Sequence, residues 1–285
     1  MTEAKSPFKR FFDQSYQGKE KQLKLQLQIS PGYIYRTFLD ASDNRFVGYE
    51  EFYLGEHDRW ETAYDDIQAV LRKDKNNYQK VIVGIIEPIF TLIPTSLFTS
   101  QSALSYLKLN QELIDEEQLS IHENAIQSLD STLVFAYPKR IHQLLSQQFA
   151  GFQLLHYGSP LLELSGLELS PQSENFKLHI QYDHFEVIYA KNGKLRFFNR
   201  FNYQTVEDLI YYLLYVMEQL QLDREKIAVE VFGEFEKQSA IFEMLHKYIR
   251  NINIRERNPE MKYSAVLSEL PKHYYFNLFN QYLCE

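Results

Sequence analysis

A chain of 285 residues with 45% hydrophobic residues and 24% charged residues is long enough for two lobes of ordinary size, and a globular protein of this length buries about three quarters of its unfolded surface. Its formal net charge of −8 argues against broad phosphate-backbone binding, so no nucleic acid partner is expected. The longest apolar stretch, residues 81–98, is broken by Glu87, Pro88 and Pro94, so no uninterrupted run approaches the roughly 18 residues a membrane span needs and no membrane insertion is expected.

Residues 1–20 mix Glu3, Lys5, Lys9, Arg10, Asp13 and Glu20 without an apolar stretch, and no secretory leader is read there. Leu23, Leu25, Leu27 and Ile29 then alternate with Lys24, Gln26 and Gln28, the period-two pattern of a strand buried on one face. Ser30-Pro31-Gly32 turns the chain, a strand follows over 33–39, Ser42-Asp43-Asn44 turns it again, and 46–54 returns as the third strand of a meander. A helix over 60–71, with Glu56, Asp58 and Glu61 at the positive end of its dipole, leads to an apolar strand over 80–86.

Residues 90–98 read as strand, 100–109 as helix, 119–126 and 132–137 as strands, and 138–149 as a helix that starts with proline, where helices tolerate it. Gly151 ends that helix, 152–156 is a strand, 160–164 starts a short helix, and 166–174 is read as the boundary between lobes. The opening meander then recurs: strands over 176–182, 185–190 and 195–203, with the hairpin signal Asn192-Gly193 between the last two. Thr205 caps a helix over 205–220 in the pattern Thr205-x-x-Asp208, with Leu209, Leu213, Val216, Met217 and Leu220 on one face, and a strand over 226–232 follows. In the last stretch Tyr275, Leu278, Phe279 and Tyr282 make one stripe at helical spacing; they are expected to pack back on the chain or to meet a protein partner. Cys284 is the single cysteine, so no internal disulfide can form; it reads as an unreactive tail residue, and a reducing, cytoplasmic location is expected.

The strand-strand-strand-helix-strand unit of 21–87 thus recurs over 176–232. Between the copies, residues 80–98 (KVIVGIIEPIFTLIPTSLF) resemble the strand pair entering the small inserted subdomain of PilM, and residues 132–164 resemble the segment leaving it. Residues 231–259 resemble the closing strand, helix, strand and Asn-Pro exit of the second lobe, here Asn258-Pro259. The ordered set resembles the actin-like ATPase superfamily, closest to PilM- and FtsA-type proteins, and the whole chain also resembles an uncharacterised bacterial family known as a domain of unknown function. The resemblance implies an α/β fold of two tandem ribonuclease-H-like lobes with mixed sheets: a first lobe over 20–168 with an inserted subdomain at about 90–138, a second lobe over 169–259, and an aromatic tail over 260–285.

That superfamily handles ATP and magnesium with Asp-x-Gly hairpins and a paired-glycine turn. Where the resemblance places the hairpins, this chain has Gln28-Ile29-Ser30 and Gln181-Tyr182-Asp183, and at the glycine turn only Gly233 remains, followed by Glu234. Glutamine is a neutral, weaker magnesium ligand, and Asp183 and Glu234 put negative charge where phosphate would sit. No cofactor is therefore expected and no catalytic residue is assigned. The expected function is that of a non-hydrolysing interaction or assembly scaffold with a protein partner, with a kinase-like or small-ligand-binding enzyme as the alternative.

A ribonuclease-H-like nuclease would need converging carboxylates, for which Asp183, Glu186, Glu230 and Glu234 are the available set; solvated strand ends and salt bridges explain them more simply. His142, His156, His179 and His184 show no metal-ligand spacing. The basic and aromatic residues 191–201 put Lys194, Arg196 and Phe198 on one face of a strand and Leu195, Phe197, Asn199 and Phe201 on the other, a core face and an outer face rather than a nucleic acid platform.

Overall fold

The computed structural model describes residues 6–72, 77–113 and 115–285, so Glu3 and Lys5 of the opening segment lie outside them. The chain divides into two compact units, one of Met1–Glu163, Pro259–Leu270 and Asn277–Glu285, the other of Leu164–Asn258 and Pro271–Phe276. Among the described residues no helix is long and apolar enough to cross a membrane.

In the first unit β1 (Lys9–Phe12) precedes the meander of β2 (Leu23–Ile29), β3 (Tyr33–Asp40) and β4 (Arg45–Tyr53). Helix α1 (Trp60–Leu71) then crosses to β5 (Lys80–Ile85), which runs parallel to β2. An antiparallel sheet of β6 (Phe90–Pro94), β7 (Leu119–Ile126) and β8 (Ser131–Pro138), with α2 (Ala103–Asn110) between β6 and β7, forms the insertion. Its core is Ala103, Leu107, Val134 and Ala136. The strand read over 90–98 stops at Pro94, and Thr95–Leu97 turns as a short 3-10 helix. Helix α3 (Lys139–Gln148) and β9 (Gln153–His156), parallel to β5, complete a sheet of order β1-β4-β3-β2-β5-β9.

Helix α4 (Ser159–Leu167) precedes the second meander: β10 (Glu174–Ile180), β11 (His184–Lys191) and β12 (Lys194–Asn202). Then come α5 (Val206–Gln219), β13 (Ala228–Gly233), α6 (Ala240–Tyr248) and β14 (Asn251–Ile254), in a sheet of order β12-β11-β10-β13-β14. β11 is antiparallel to β10 and β12, whereas β13 is parallel to β10 and β14 to β13, the same pattern of directions as β4-β3-β2-β5-β9. The core of this unit is built from alternate residues of the sheet, Leu178, Ile180, Phe185 and Val187, against Leu209, Leu213 and Met217 of α5. Thr205 and Asp208 close the expected capping box on α5, and Asn192 and Gly193 both take positive φ, 54° and 70°, as a tight two-residue hairpin requires.

Both meanders carry a bulge at the same place. Phe38 faces Gly48 and Leu39 faces Phe46, leaving Val47 as the extra residue; Tyr189 faces Phe197 and Ala190 faces Leu195, leaving Arg196. The bulge reverses the facing of the residues before it, so Leu195 does not share the face of Phe197 as strict alternation had it.

The one-sided burial expected of β2 is corrected by the structure. Gln26 is 0% and Gln28 2% exposed, because the end of the chain lies across their face of the sheet. The Phe279 ring meets Phe46 edge-on at 4.8 Å, Gln281 Nε2 donates to Leu27 O at 3.1 Å, and Glu285 pairs with Lys24. The short strand β15 (Lys262–Tyr263) runs parallel to β4, and α7 (Phe276–Phe279) is the only α-helical turn in the tail. Tyr275, Leu278 and Phe279 are buried, and the φ of 53° at Tyr275 breaks the helix that would have aligned them with half-buried Tyr282. Burial pushes the Cys284 thiol up to about 12, which keeps it protonated and unreactive.

Candidate functional site at the hairpin turns

In the first unit the Ser30 turn is closed on itself. Ser30 N donates to Tyr33 O at 2.9 Å, and Tyr33 N donates to Ser30 Oγ at 3.0 Å. Beside it, Gln28 lies next to Gly84 of parallel β5. A Cβ on Gly84 would stand 2.8 Å from Gln281 Nε2 and 3.2 Å from Gln28 Cγ, so the space that this glycine leaves is filled by the chain's own glutamines.

In the second unit the register of β10, β11 and β13 brings Gln181, Asp183, Gly233 and Glu234 to one end of the sheet. Gly233 has φ of 110°, and its N–H donates to His273 O at 2.9 Å, while the next N–H, of Glu234, donates to Ile180 O at 2.7 Å. Both amides that a phosphate would use are therefore engaged within the unit. Tyr203 spans the hairpin: its N–H donates to Asp183 O at 3.1 Å and its hydroxyl to Gln181 O at 2.6 Å. Burial, then the charges of Asp183 and Glu234, raise the pKa of that hydroxyl, so two carboxylates act on one atom.

Beneath the turn lies a fully buried carboxylate. Glu186 Oε2 is 2.7 Å from His179 Nδ1, and its Oε1 is 3.2 Å from His184 Nε2. His184 Nδ1 reaches Asp183 Oδ1 at 2.5 Å, and Gln181 Nε2 is 3.0 Å from His179 Nε2. Burial pushes the Glu186 pKa up, but the His184 charge and the hydrogen bonds of both histidines outweigh it, and the carboxyl sits well below its ordinary 4.5. For Asp183, whose side chain is 69% exposed, desolvation by the surrounding protein is likewise overcome by the bond and charge of His184 and then the charge of Arg200, so its pKa lies below the ordinary 3.8.

Glu230 belongs elsewhere: it and Glu168 flank Arg255, whose Nη1 is 2.9 Å from Glu230 Oε2, and buried Lys177 pairs with the same Glu168. Asp183 and Glu186 thus share His184 while Glu230 pairs with Arg255, and among the described residues no group of three or more His, Cys, Asp or Glu side chains is arranged to hold a metal ion. The residues do not fit an ATP-magnesium group in the superfamily's manner: the amides are engaged and the turn is anionic.

One further concavity has no counterpart in any motif of the sequence, a pocket of about 420 Å³ in the first unit, lined among others by Arg59, Trp60, Glu61, Tyr64, Asp115 and Arg140. The Arg140 guanidinium lies 3.6 Å from the centroid of the Tyr64 ring, and neither arginine makes an ion pair among the described residues.

Two solved structures place the fold. A Bacteroides thetaiotaomicron protein with actin-like ATPase fold and unknown function is 20% identical and superimposes with a TM-score of 0.72, covering 84% of this chain and 92% of its own. The PilM-PilN type IV pilus biogenesis complex is similar at 10% identity and a TM-score of 0.55, covering 90% of this chain and 97% of that one. This is a mixed α/β protein with the actin-like ATPase fold. No curated protein matches it in sequence. Residues 13–252 match the DUF3822 family, described as a protein of unknown function, and the chain belongs to that family.

Proposed function

We propose that this protein is a non-hydrolysing actin-like scaffold that works through protein contacts in the cytoplasm. The reading rests above all on the Gly233 turn, whose two amides donate to His273 O and Ile180 O while Asp183 and Glu234 bring negative charge to the same end of the sheet. A triphosphate there would meet carboxylates in place of donors. The fold is also that of PilM, described in a complex with PilN, so working with another protein is within its repertoire. The cytoplasmic setting draws on the lone cysteine, which has no internal partner.

Calorimetric titration with ATP and magnesium, paired with a phosphate-release assay, tests the reading. No saturable binding tighter than about 100 μM and no released phosphate are expected; micromolar binding with turnover would overturn it. A second reading, binding of a small polar ligand, is favoured by the pocket in which Arg140 lies over the Tyr64 ring while Arg59, Glu61 and Asp115 line it with charges of both signs. Arg140→Glu would abolish such binding and leave a purely scaffolding protein unaffected in ligand titrations.

A further inference from the structure

The two copies of the meander differ at their outer edge. In the first unit, β1 lies antiparallel along β4, with Lys9 opposite Glu51, Arg10 opposite Glu50, Phe11 opposite Tyr49 and Phe12 opposite Gly48. The pairing is charge-matched: Arg10 Nε is 3.0 Å from Glu50 Oε1, and Lys9 Nζ is 3.8 Å from Glu51 Oε2. β15 covers the rest of that edge at Arg45 and Phe46. In the second unit the corresponding strand, β12, ends the sheet, and among the described residues no strand pairs with its outer side.

The shared bulge fixes the correspondence residue by residue. Val47 matches Arg196, so Gly48, Tyr49, Glu50 and Glu51 match Phe197, Phe198, Asn199 and Arg200. The acidic pair that seats Lys9 and Arg10 on β4 is therefore replaced on β12 by Asn199 and Arg200, with Arg196 and Lys194 just before them. Lys194 and Arg196 are exposed and make no ion pair among the described residues. Next to this edge runs a ladder of rings. Phe201 stacks on Tyr212 at 5.7 Å, Tyr212 meets Tyr211 at 5.4 Å, and Tyr211 stacks on Tyr215 at 6.4 Å. Tyr211, Tyr212 and Tyr215 are 65%, 38% and 51% exposed, a contiguous aromatic patch on the outer side of α5.

We propose that the outer edge of β12 is an acceptor for an extended acidic segment of a protein partner, which adds as an antiparallel strand in the register that β1 takes on β4. The proposal rests on the scaffold reading and names its surface. An unpaired strand edge offers main-chain hydrogen bonds to any strand, and side chains decide which one is admitted. Here the cations repel a second copy of the same edge and favour carboxylates opposite Asn199 and Arg200, the charge inverse of Lys9 and Arg10. Aromatic residues opposite Phe198 and Phe197 would repeat Phe11 and Phe12, and the tyrosines of α5 form the apolar side wall.

Fluorescence anisotropy with the full chain and two labelled peptides tests the assignment, one with the core Glu-Asp-Phe-Phe and one with the core Lys-Arg-Phe-Phe. The acidic peptide is expected to bind saturably, more weakly as salt rises, and to slow amide exchange in Lys194–Asn202. The change Arg200→Glu, opposite the first carboxylate of the peptide in this register, should weaken it about five- to tenfold, and Tyr211→Ser with Tyr215→Ser should weaken it independently. Equal binding of both peptides, no binding, indifference to the charge reversal, or a dimer that dissociates on the charge reversal would overturn the assignment. ATP binding would end the scaffold reading without touching the edge. Silence of both peptides alongside a negative nucleotide titration would end only the edge assignment.

Discussion

Gly233→Ala is expected to destabilise the protein by at least about 4 kcal/mol, through loss of the β10–β13 junction. The residue takes φ of 110°, a region L side chains rarely adopt. A Cβ there would stand 2.0 Å from Ile180 O, 2.8 Å from Ile180 N and 2.9 Å from Ile180 C. All three are backbone atoms of a strand that lies inside the sheet, so no side chain can swing away to relieve the overlap. The end of β13 would have to part from β10, breaking the bonds from Glu234 N to Ile180 O and from Gly233 N to His273 O. Urea unfolding followed by far-UV circular dichroism should show the lower midpoint, and amide exchange should show lost protection in Glu174–Ile180. A glycine kept only to make room for phosphate would give the opposite result, with stability unchanged and ligand binding lost. Unchanged stability would therefore refute the role assigned here to Gly233 and reopen the nucleotide reading.

The parts of the fold that were legible in the sequence are those determined within a few residues. Asn192-Gly193 carries its own turn geometry, Thr205 and Asp208 cap α5 from three positions apart, and the alternation Leu178, Ile180 against His179 encodes the strand. What alternation could not show is what covers the second face of a sheet. Gln26 and Gln28 look like solvent-facing residues, yet Gln281, at the far end of the chain, lies over them. The tail residues do pack back on the chain, but not as one helical face: helical spacing assumes a helix, and Tyr275 stands outside it with a positive φ. At the site, the expected strands over 176–182 and 185–190 would have set Gln181 opposite Glu186, whereas the hairpin turns at Tyr182-Asp183, with Gln181 N donating to His184 O at 2.8 Å, and so sets His179 there. The pairing of His179 with Glu186 was therefore not within reach of the sequence. Nor was the use of the Gly233 and Glu234 amides, because their acceptors, His273 O and Ile180 O, follow from packing rather than from any motif.

The buried carboxylate beneath the hairpin should dominate the acid stability of the second unit. Glu186 is 0% exposed and faces His179 on its own sheet partner and His184 on its own strand, with Asp183 and Gln181 completing the cluster. Glu186→Ala would leave two imidazoles facing a void without their acceptor, and removal of one member of a buried pair costs about 3–5 kcal/mol. Glu186→Gln keeps the volume but turns an amide N–H toward a ring nitrogen that now donates, which costs about 1–3 kcal/mol. The pH dependence has a definite sign. Because the folded pKa of Glu186 lies well below its ordinary 4.5, its contribution is complete above that value and declines as the pH falls through and below it. The stability gap between the natural protein and Glu186→Ala should therefore narrow by about 2 kcal/mol between pH 6 and pH 3, measured as urea midpoints at each pH. Parallel curves would mean that the carboxylate is not ionised in the folded state. Ionised and held by both histidines, it fixes the hairpin that presents Asp183, so the negative turn is a rigid feature of the sheet and not a loop able to rearrange around a phosphate.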